Sequence, residues 1–177
     1  ELTDHFFGSP THTPTEKSLY GTVLAELASD MELAVRAELS ARFAPAANAP
    51  GALIRRLAHD EAEVADAVLR QSPVLTDDDL LGVVRAKGQA HLRAVSGRAN
   101  VSEAVSDVIV QRGDDETLGT LLRNDGARLS RAASEAAIER AKVNPALHEA
   151  AVSRATLPAD LLNEMYFVVE ARLRTRI

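Results

Sequence analysis

The sequence contains neither cysteine nor tryptophan, and aromatic residues make up only 3% of its 177 positions. Without cysteine, neither a disulfide framework nor a thiolate metal site can form. No apolar run approaches the roughly 20 residues that a transmembrane helix needs, so we expect no membrane partner. The net charge of −6 argues against nucleic acid as the main partner, because phosphate binding is chiefly cationic.

Recognisable catalytic motifs are absent as well. The chain has no Gly-x-Ser-x-Gly elbow, no Gly-rich phosphate loop and no His-Glu-x-x-His pair, which mark common hydrolases, nucleotide-binding proteins and zinc enzymes. Two acidic runs, Asp77–Asp79 and Asp114–Glu116, fall in predicted first helical turns, where the helix dipole favours negative charge. We therefore expect a protein that is not an enzyme and uses no cofactor.

One doublet, His59-Asp60, resembles the pair found in helical phosphohydrolases, and a hydrolase of that kind would hold a metal ion. Such enzymes need a further upstream histidine, but no histidine lies between residues 13 and 58. The same corner recurs as Ser29-Asp30, where histidine is absent. Because aspartate accepts hydrogen bonds from the first amides of a helix, we interpret Asp60 as an N-cap and expect no metal site.

What the sequence does contain is a repeat of about 28 residues. An apolar residue followed by a helix-starting residue recurs at intervals of 26, 28 and 28 positions, in Leu75-Thr76, Val101-Ser102, Leu129-Ser130 and Leu157-Pro158. Ala49-Pro50 fits as a fifth copy. Thr and Ser accept a hydrogen bond from the free amides of a first turn, and Pro is tolerated there. Each doublet therefore predicts the start of a helix.

A second series of helix-starting residues interleaves with the first, at Asp30, Asp60, Gly88, Asp114 and Asn144. Within each run, apolar residues follow at spacings of three and four, which is typical of one face of an α-helix. Regular self-similarity with two helices per unit indicates an α-solenoid. We therefore predict an all-α fold, an α-solenoid of short HEAT-like hairpins, and not an irregular bundle whose caps recur by accident.

These signals predict a single helical-repeat domain over residues 1–177. Residues 1–14 form a loop-like lead whose Phe6 and Phe7 pack on the first helix, and residues 15–60 hold the N-terminal repeats. In the helix ending near Ser29, we expect the inward face to contain Leu19, Tyr20, Val23, Leu24 and Leu27. Residues 61–177 hold four hairpins, predicted at 61–72 with 76–87, 89–98 with 102–112, 115–124 with 130–142, and 145–154 with 158–175.

Arginine is the polar residue that recurs in register, near the ends of the predicted helices. The candidate binding residues are Arg70, Arg98, Arg123 and Arg154 in the first helices and Arg85, Arg112 and Arg140 in the second. Cations at a helix C-terminus are stabilised by its exposed carbonyls, which alone explains these positions. The alternative is that successive repeats place the guanidinium groups in a row that binds carboxylate or phosphate groups of a partner.

The last predicted helix is apolar on all sides near Phe167, whereas the end of a solenoid normally has a polar outer face. Either the native chain continues beyond Ile177 or this surface contacts a partner. That partner can be a second copy of the chain, in a homodimer through the C-terminal helix. The candidate interface residues are Met165, Tyr166, Phe167 and Val169. Because the chain starts at Glu1 without Met or a signal-type stretch, we expect a fragment of a longer cytoplasmic protein.

Three segments resemble a known family: Leu57-Ala-His-Asp60 with Val64, then Ser72–Leu81, then Arg98–Asp107. They resemble a bacterial family of unknown function, number 2336, known chiefly from alphaproteobacteria, and the likeness runs from about Thr15 through Arg140 and beyond. The resemblance implies HEAT-type helical repeats and no established activity, so it implies no catalytic residue. The hairpins of about 28 residues are shorter than HEAT units of about 40.

The repeat and the lack of catalytic motifs together predict a non-enzymatic scaffold or adaptor, because a solenoid offers a long surface to another protein. The alternative is nucleic-acid or phosphate-ligand binding through the arginine series. Binding of that kind would weaken steeply with added salt, whereas a mostly apolar protein interface would not.

Overall fold

A computed structural model describes residues 2–9 and 11–177, which contain helices, turns and one isolated β-bridge. The chain divides into two compact units, residues 1–76 and 77–177. The first unit contains α1 (Leu2–Gly8), α2 (Pro14–Asp30), α3 (Leu33–Phe43), α4 (Gly51–Ala58) and α5 (Ala62–Gln71). The second contains α6 (Asp77–Ala86), α7 (Gln89–Ser96), α8 (Glu103–Arg112), α9 (Asp115–Leu122), α10 (Arg131–Val143), a 3-10 turn (Pro145–Leu147), α11 (His148–Ser153), α12 (Ala159–Met165) and α13 (Ala171–Arg174). The predicted all-α class is confirmed.

None of the helices within residues 2–9 and 11–177 combines the length and apolar composition that crossing a bilayer requires.

The N-terminal lead contains a helix, α1, so the prediction of a loop-like segment is wrong. Phe6 is completely buried, and its ring centroid lies 5.3 Å from those of Phe43 and Tyr20 and 4.5 Å from that of His12. The ring of Phe7 lies 4.8 Å from that of Phe43. Full burial of a side chain such as Phe contributes about 1.5–3 kcal/mol. This packing holds a helix of 7 residues that is too short to be stable alone.

The inward face of α2 differs from the predicted one. Leu24 is buried as predicted, but three other apolar residues of that face are exposed: Leu19, Val23 and Leu27. α2 instead packs on α4 near Gly21, where an added Cβ would lie 3.1 Å from the Cβ of Pro50. Glycine lets two backbones approach closely. The buried residues of α2 are therefore Gly21, Leu24 and Ala28, and the side of the helix with Leu19, Val23 and Leu27 faces solvent.

The two Asp corners of the first unit are not the predicted N-caps. Asp30 is the last residue of α2, and the N-cap positions of α3 and α5 are held by Glu32 and Glu61, without side-chain cap bonds. The Asp60 carboxylate instead accepts hydrogen bonds from Nε and Nη2 of Arg36, at 2.9 and 3.0 Å. Asp60 therefore ties the corner between α4 and α5 to α3.

Polar residues open helices of the second unit as predicted. The side-chain oxygens of four N-cap residues accept hydrogen bonds from amides of the first turn: Ser102, Asp114, Ser130 and Asn144. A cap of this kind typically contributes about 1 kcal/mol. From α5 to α10, the observed helix ends lie within two residues of the predicted ones, because the caps and the apolar period agree. The helix predicted from residue 145 begins as the 3-10 turn Pro145–Leu147, and α11 starts at His148.

From α6 to α12, the helices of the second unit pack on the next helix but one. α6 contacts α8, α8 contacts α10 and α10 contacts α12, while α7 contacts α9 and α9 contacts α11. Apolar side chains are buried in both sets of alternating helices, the even-numbered and the odd-numbered ones. They include Val83, Val95, Ile109, Leu121 and Ile138. Neighbouring helix pairs therefore share their apolar faces in the order of the chain.

Loops of consecutive repeats also bond to each other. The Val101 N–H donates to the Gly126 carbonyl at 3.1 Å, and the Arg128 N–H donates to the Val101 carbonyl at 3.0 Å. An added Cβ at Gly126 would lie only 1.9 Å from the Ala99 carbonyl oxygen. This approach is closer than any Cβ allows, so the loop contact requires glycine at that position.

The predicted last helix over residues 158–175 is wrong in its middle. α12 ends at Met165, and α13 begins only at Ala171. The amides of Val168 and Val169 both donate to the Met165 carbonyl, at 3.0 and 3.1 Å, which winds the chain into a tight turn. Aromatic and β-branched residues are weak helix formers, which favours a break over residues 166–169. Met165 and Val169 are both buried.

Candidate interaction surfaces

Arg154, one of the candidate binding residues, lies inside the second unit and is 2% exposed. Its Nη1 group donates to the carbonyls of Leu121, Leu122 and Asn124 at distances between 2.8 and 3.2 Å, and Nη2 donates to the carbonyl of Ala127. Burial lowers the pKa of this guanidinium. Because the four carbonyls belong to the end of α9 and the loop after it, Arg154 connects α11 to the preceding helix pair.

Arg112 and Arg140 make the same kind of connection from the second helices. Arg112 donates to the Val84 carbonyl near the end of α6. Arg140 donates to the Gly113 carbonyl at 2.9 Å, just beyond the end of α8, and contacts the Asp115 carboxylate. Their positions in the sequence predicted bonds to the carbonyls of their own helices or, as the alternative, a row that binds a partner. Each of them instead donates to a carbonyl 28 or 27 residues earlier in the chain. This recurring interval was the sequence signal that could have predicted these bonds.

The other four arginines of the series lie in different settings. Arg70, in the first unit, pairs with Asp66 at 2.9 Å. Arg85 and Arg123 are exposed in the second unit. Arg98 is half-buried, and burial lowers the pKa of its guanidinium. Partner binding by these four residues stays a prediction.

The C-terminal candidate interface separates into buried and exposed residues. Met165 and Val169 are buried, so they belong to the core of the second unit. Tyr166 and Phe167 are exposed, and their rings meet edge to face at 5.6 Å between centroids. The Arg174 guanidinium lies 5.4 Å from the centroid of the Tyr166 ring.

Exposed Val168 adjoins these residues, and we name Tyr166, Phe167, Val168 and Arg174 the C-terminal aromatic surface. Phe167 is 82% exposed, which is uncommon for an aromatic side chain. Aromatic residues and arginine are the types most enriched at the centres of protein interfaces. The C-terminal aromatic surface thus has the composition of a protein-binding site.

The first unit carries an exposed apolar stripe on α2. The sequence did not predict this surface, because the periodicity placed its residues in the core. Leu19, Val23 and Leu27 follow one another at intervals of four on α2, so they share one side of the helix. All three are exposed, Leu19 to 65%. Apolar patches of this kind mark interaction surfaces when they are contiguous.

A positively charged cavity of about 660 Å³ also lies in the first unit. Its lining contains three arginines and one carboxylate, from the residues Ala28, Ser29, Arg36, Arg55, Arg56, His59 and Asp60. We name this cavity the basic pocket. The helices α2, α3 and α4 supply its walls. The arginines converge only through the fold, so the sequence pointed to His59-Asp60 alone.

The Asp60 carboxylate, which lines the basic pocket, has a pKa below its ordinary value. Burial raises its pKa, but hydrogen bonds from Arg36 and from the Glu61 N–H, with the charges of Arg36 and Arg56, outweigh burial and lower the pKa overall. The side chains of Arg36 and Asp60 are 15% and 12% exposed, so the pair is well shielded. Within residues 2–9 and 11–177, no three His, Cys, Asp or Glu side chains come together as a metal site would require.

Comparison with known proteins matches all of the second unit and only the end of the first. The family model for uncharacterised proteins conserved in bacteria (DUF2336) matches residues 64–177, from within α5 to the C-terminus. The match begins later than the resemblance predicted near Thr15 and extends past Arg140. No curated protein and no solved structure matches the chain. The family match covers more than half of the sequence, and the chain belongs to the DUF2336 family.

Proposed function

We propose that this protein is a non-enzymatic scaffold whose HEAT-like helix pairs form an α-solenoid and bind another protein. The alternating contacts of α6 to α12 support the solenoid, because repeat proteins are built from units that contact only their neighbours. Bonds from Arg112, Arg140 and Arg154 to carbonyls of the preceding pair support it further. Recurring connections of this kind are typical of a stacked module.

The observation that carries the protein-binding proposal is the C-terminal aromatic surface. Burying the exposed apolar area of Phe167 against a partner would contribute about 25 cal/mol per Å² to the free energy of binding. The adjoining Tyr166 ring and Arg174 guanidinium complete a cluster that a partner would bury. In this proposal Phe167 is the central anchor, surrounded by Val168 and the polar edge of Tyr166.

A partner-recovery experiment with two matched variants tests this proposal. Phe167→Ala removes the anchor, while Val143→Ser removes an equally exposed apolar side chain, 83% exposed, at the end of α10. Tagged protein expressed in its native cell should recover a stoichiometric protein partner with the wild type and with Val143→Ser. With Phe167→Ala, the affinity for that partner should fall by about tenfold or more. Equal recovery by all three proteins would contradict the role of Phe167.

The same surface can also bind a second copy of the chain, and sedimentation equilibrium distinguishes this case from a different partner. A homodimer through the C-terminal aromatic surface dissociates on dilution, and Phe167→Ala shifts its dissociation to higher concentration. If the wild type is monomeric throughout, the partner is a different protein.

The arginine alternative has less support from the geometry. A row of guanidinium groups that binds nucleic acid or phosphate needs side chains on the surface, but Arg154 is buried and Arg112 and Arg140 donate to carbonyls. A salt titration of any recovered complex separates the two functions. Phosphate-backbone binding falls steeply with salt, whereas an interface centred on Phe167 does not.

A further inference from the structure

We infer that the C-terminal aromatic surface binds a groove between α2 and α3 of a second copy of the chain, with the Phe167 ring inside that groove. The inference rests on the proposed function, because it names the partner of the same surface. It also gives the first unit, which contains the groove, a role in binding. The contact is heterologous, since a surface of one copy meets a different surface of the next copy.

The groove has an apolar floor and an apolar rim. It measures about 270 Å³, and the apolar residues of its lining are Leu24, Leu27, Met31, Val35 and Leu39. Leu24 and Leu39 are buried and form the floor, whereas Leu27 and Val35 are 46% and 48% exposed and form the rim. We name it the α2–α3 groove. Its exposed rim is apolar area that a partner can bury.

The Phe167 side chain matches the α2–α3 groove in size and in chemistry. Phe167 is 82% exposed on the turn after α12. An apolar cavity of about 150 Å³ is large enough to bind benzene, so the groove, at about 270 Å³, has room for a phenyl ring. An exposed apolar side chain and a surface pocket elsewhere on the same molecule are the two halves of a heterologous contact.

The charged groups of the two surfaces are complementary. Arg42 lines the groove, but its guanidinium is paired with Asp4 at 2.6 Å. The exposed Glu38 carboxylate lines it too and has no ion-pair partner among residues 2–9 and 11–177. At the C-terminal aromatic surface, the exposed Arg174 guanidinium contacts the Tyr166 ring and, in the part of the chain that the structure describes, no carboxylate. Arg174 of one copy therefore pairs with Glu38 of the other.

Charge also decides between this contact and a symmetric dimer. In an isologous dimer, a surface meets its own copy. The C-terminal aromatic surface would then offer Arg174 only another arginine, and the α2–α3 groove would offer Glu38 only another carboxylate. Like charges brought together across an interface are unfavourable. Pairing one surface with the other is the arrangement that joins opposite charges.

Sedimentation equilibrium of the full chain, with two variants alone and mixed, tests the inference. Phe167→Ala keeps the groove and loses the ring, whereas Val35→Lys keeps the ring and places a cation at the exposed rim of the groove. The wild type should associate at concentrations up to about 0.5 mM and continue beyond the dimer, because each dimer still has one free surface of each kind. Each variant alone should need at least about tenfold higher concentration.

The mixture of the two variants gives the sharpest reading. Phe167→Ala supplies an intact groove and Val35→Lys an intact ring, so an equimolar mixture should form a 1:1 complex that does not grow. Val143→Ser, which removes an 83% exposed apolar side chain outside both surfaces, should associate like the wild type.

An exchange of charges gives a second reading that does not depend on the apolar variants. Glu38→Arg and Arg174→Glu should each weaken the association by about fivefold. Their combination in one chain should restore it, because the ion pair forms again with its charges exchanged. Failure of the combination to restore association would overturn the pairing of Glu38 with Arg174.

Three further results would overturn the inference. One is a wild type that stays monomeric up to about 0.5 mM; the proposed function then stands if a different protein is recovered through Phe167. Another is wild-type association by Val35→Lys, which would mean that the C-terminal aromatic surface pairs with itself. The third is an equimolar mixture of Phe167→Ala and Val35→Lys without a 1:1 complex.

Discussion

At the scale of single residues, polar side chains of the second unit bond to backbone carbonyls of the preceding helix pair. Arg154 supplies such bonds from a buried position, and the Asn124 amide donates to the carbonyls of Ser96 and Arg98, both at 2.7 Å. Carbonyls beyond the end of a helix have no partner within that helix. These side chains satisfy them and fix the distance between successive pairs.

Replacing Arg154 with methionine removes these donors while keeping a side chain of similar length. The buried carbonyls of Leu122 and Ala127 then lose their donor, whereas those of Leu121 and Asn124 still accept from the amides of Asn124 and Ala127. An unsatisfied buried polar group costs about 1–3 kcal/mol. We expect Arg154→Met to lower the free energy of unfolding by about 2–4 kcal/mol in urea titrations. Arg123→Met, at an exposed arginine, should change it by less than about 0.5 kcal/mol.

Gly126 gives a second prediction at this scale. Gly126→Ala would place a Cβ 1.9 Å from the Ala99 carbonyl oxygen, so the two loops must separate, and we expect a loss of about 2–4 kcal/mol in unfolding free energy. Gly82 provides the matched control, because it lies in α6 with no atom within 4 Å of an added Cβ. Gly82→Ala should stabilise the protein by about 0.5–1 kcal/mol. Equal effects of the two substitutions would contradict the close approach.

At the scale of elements, α8, α9 and α10 begin at a polar cap, and the helices from α6 to α12 pack on the next helix but one. Most of these helices have 6 to 10 residues, and isolated helices of that length are unstable in water. The caps of α8, α9 and α10 therefore set where these helices begin, and packing supplies the stability. This division explains why sequence alone predicted the helix starts well.

The cap of α9 predicts a dependence on pH. The hydrogen bond from the Thr117 N–H is the main cause that lowers the pKa of Asp114. A lowered folded-state pKa means that its stabilisation is complete above the unfolded-state value of about 3.9 and is lost as the pH falls through the folded-state pKa.

Asparagine also caps helices but does not titrate, so Asp114→Asn isolates this effect. In urea titrations between pH 7 and pH 2, the stability advantage of the wild type over Asp114→Asn should be greatest at pH 7 and should shrink below about pH 4. An advantage that does not change with pH would show that the charge of Asp114 contributes nothing to the cap.

At the scale of the whole molecule, the sequence predicted what local signals determine. Caps such as Ser130 and apolar residues such as Leu121 fixed the helices of the second unit, because both act within one or two turns. The inward face of α2 was mispredicted because Gly21, a residue without an apolar side chain, determines which side α4 approaches. The break after Met165 depends likewise on which side chains the core can bury.

The candidate sites follow the same rule. The exposed Phe167 was predictable, since an apolar run on every side of a helix end leaves some residue outside. The carbonyls to which Arg112, Arg140 and Arg154 donate were not predictable. A sequence shows which helix an arginine ends, but it does not show which helix packs beside it. The basic pocket was hidden for the same reason: Arg36 and Asp60 are 24 residues apart.

The most direct test of the stacked arrangement is native-state hydrogen exchange of Arg154→Met, measured at each amide of the second unit. In a stack with neighbour contacts only, destabilising one junction acts mainly on the pairs beside it. We predict that protection falls most in α9 to α12, while α6 keeps nearly its wild-type protection. An equal loss of protection from α6 to α12 would contradict the account, because it would mean that these helices share one cooperative core.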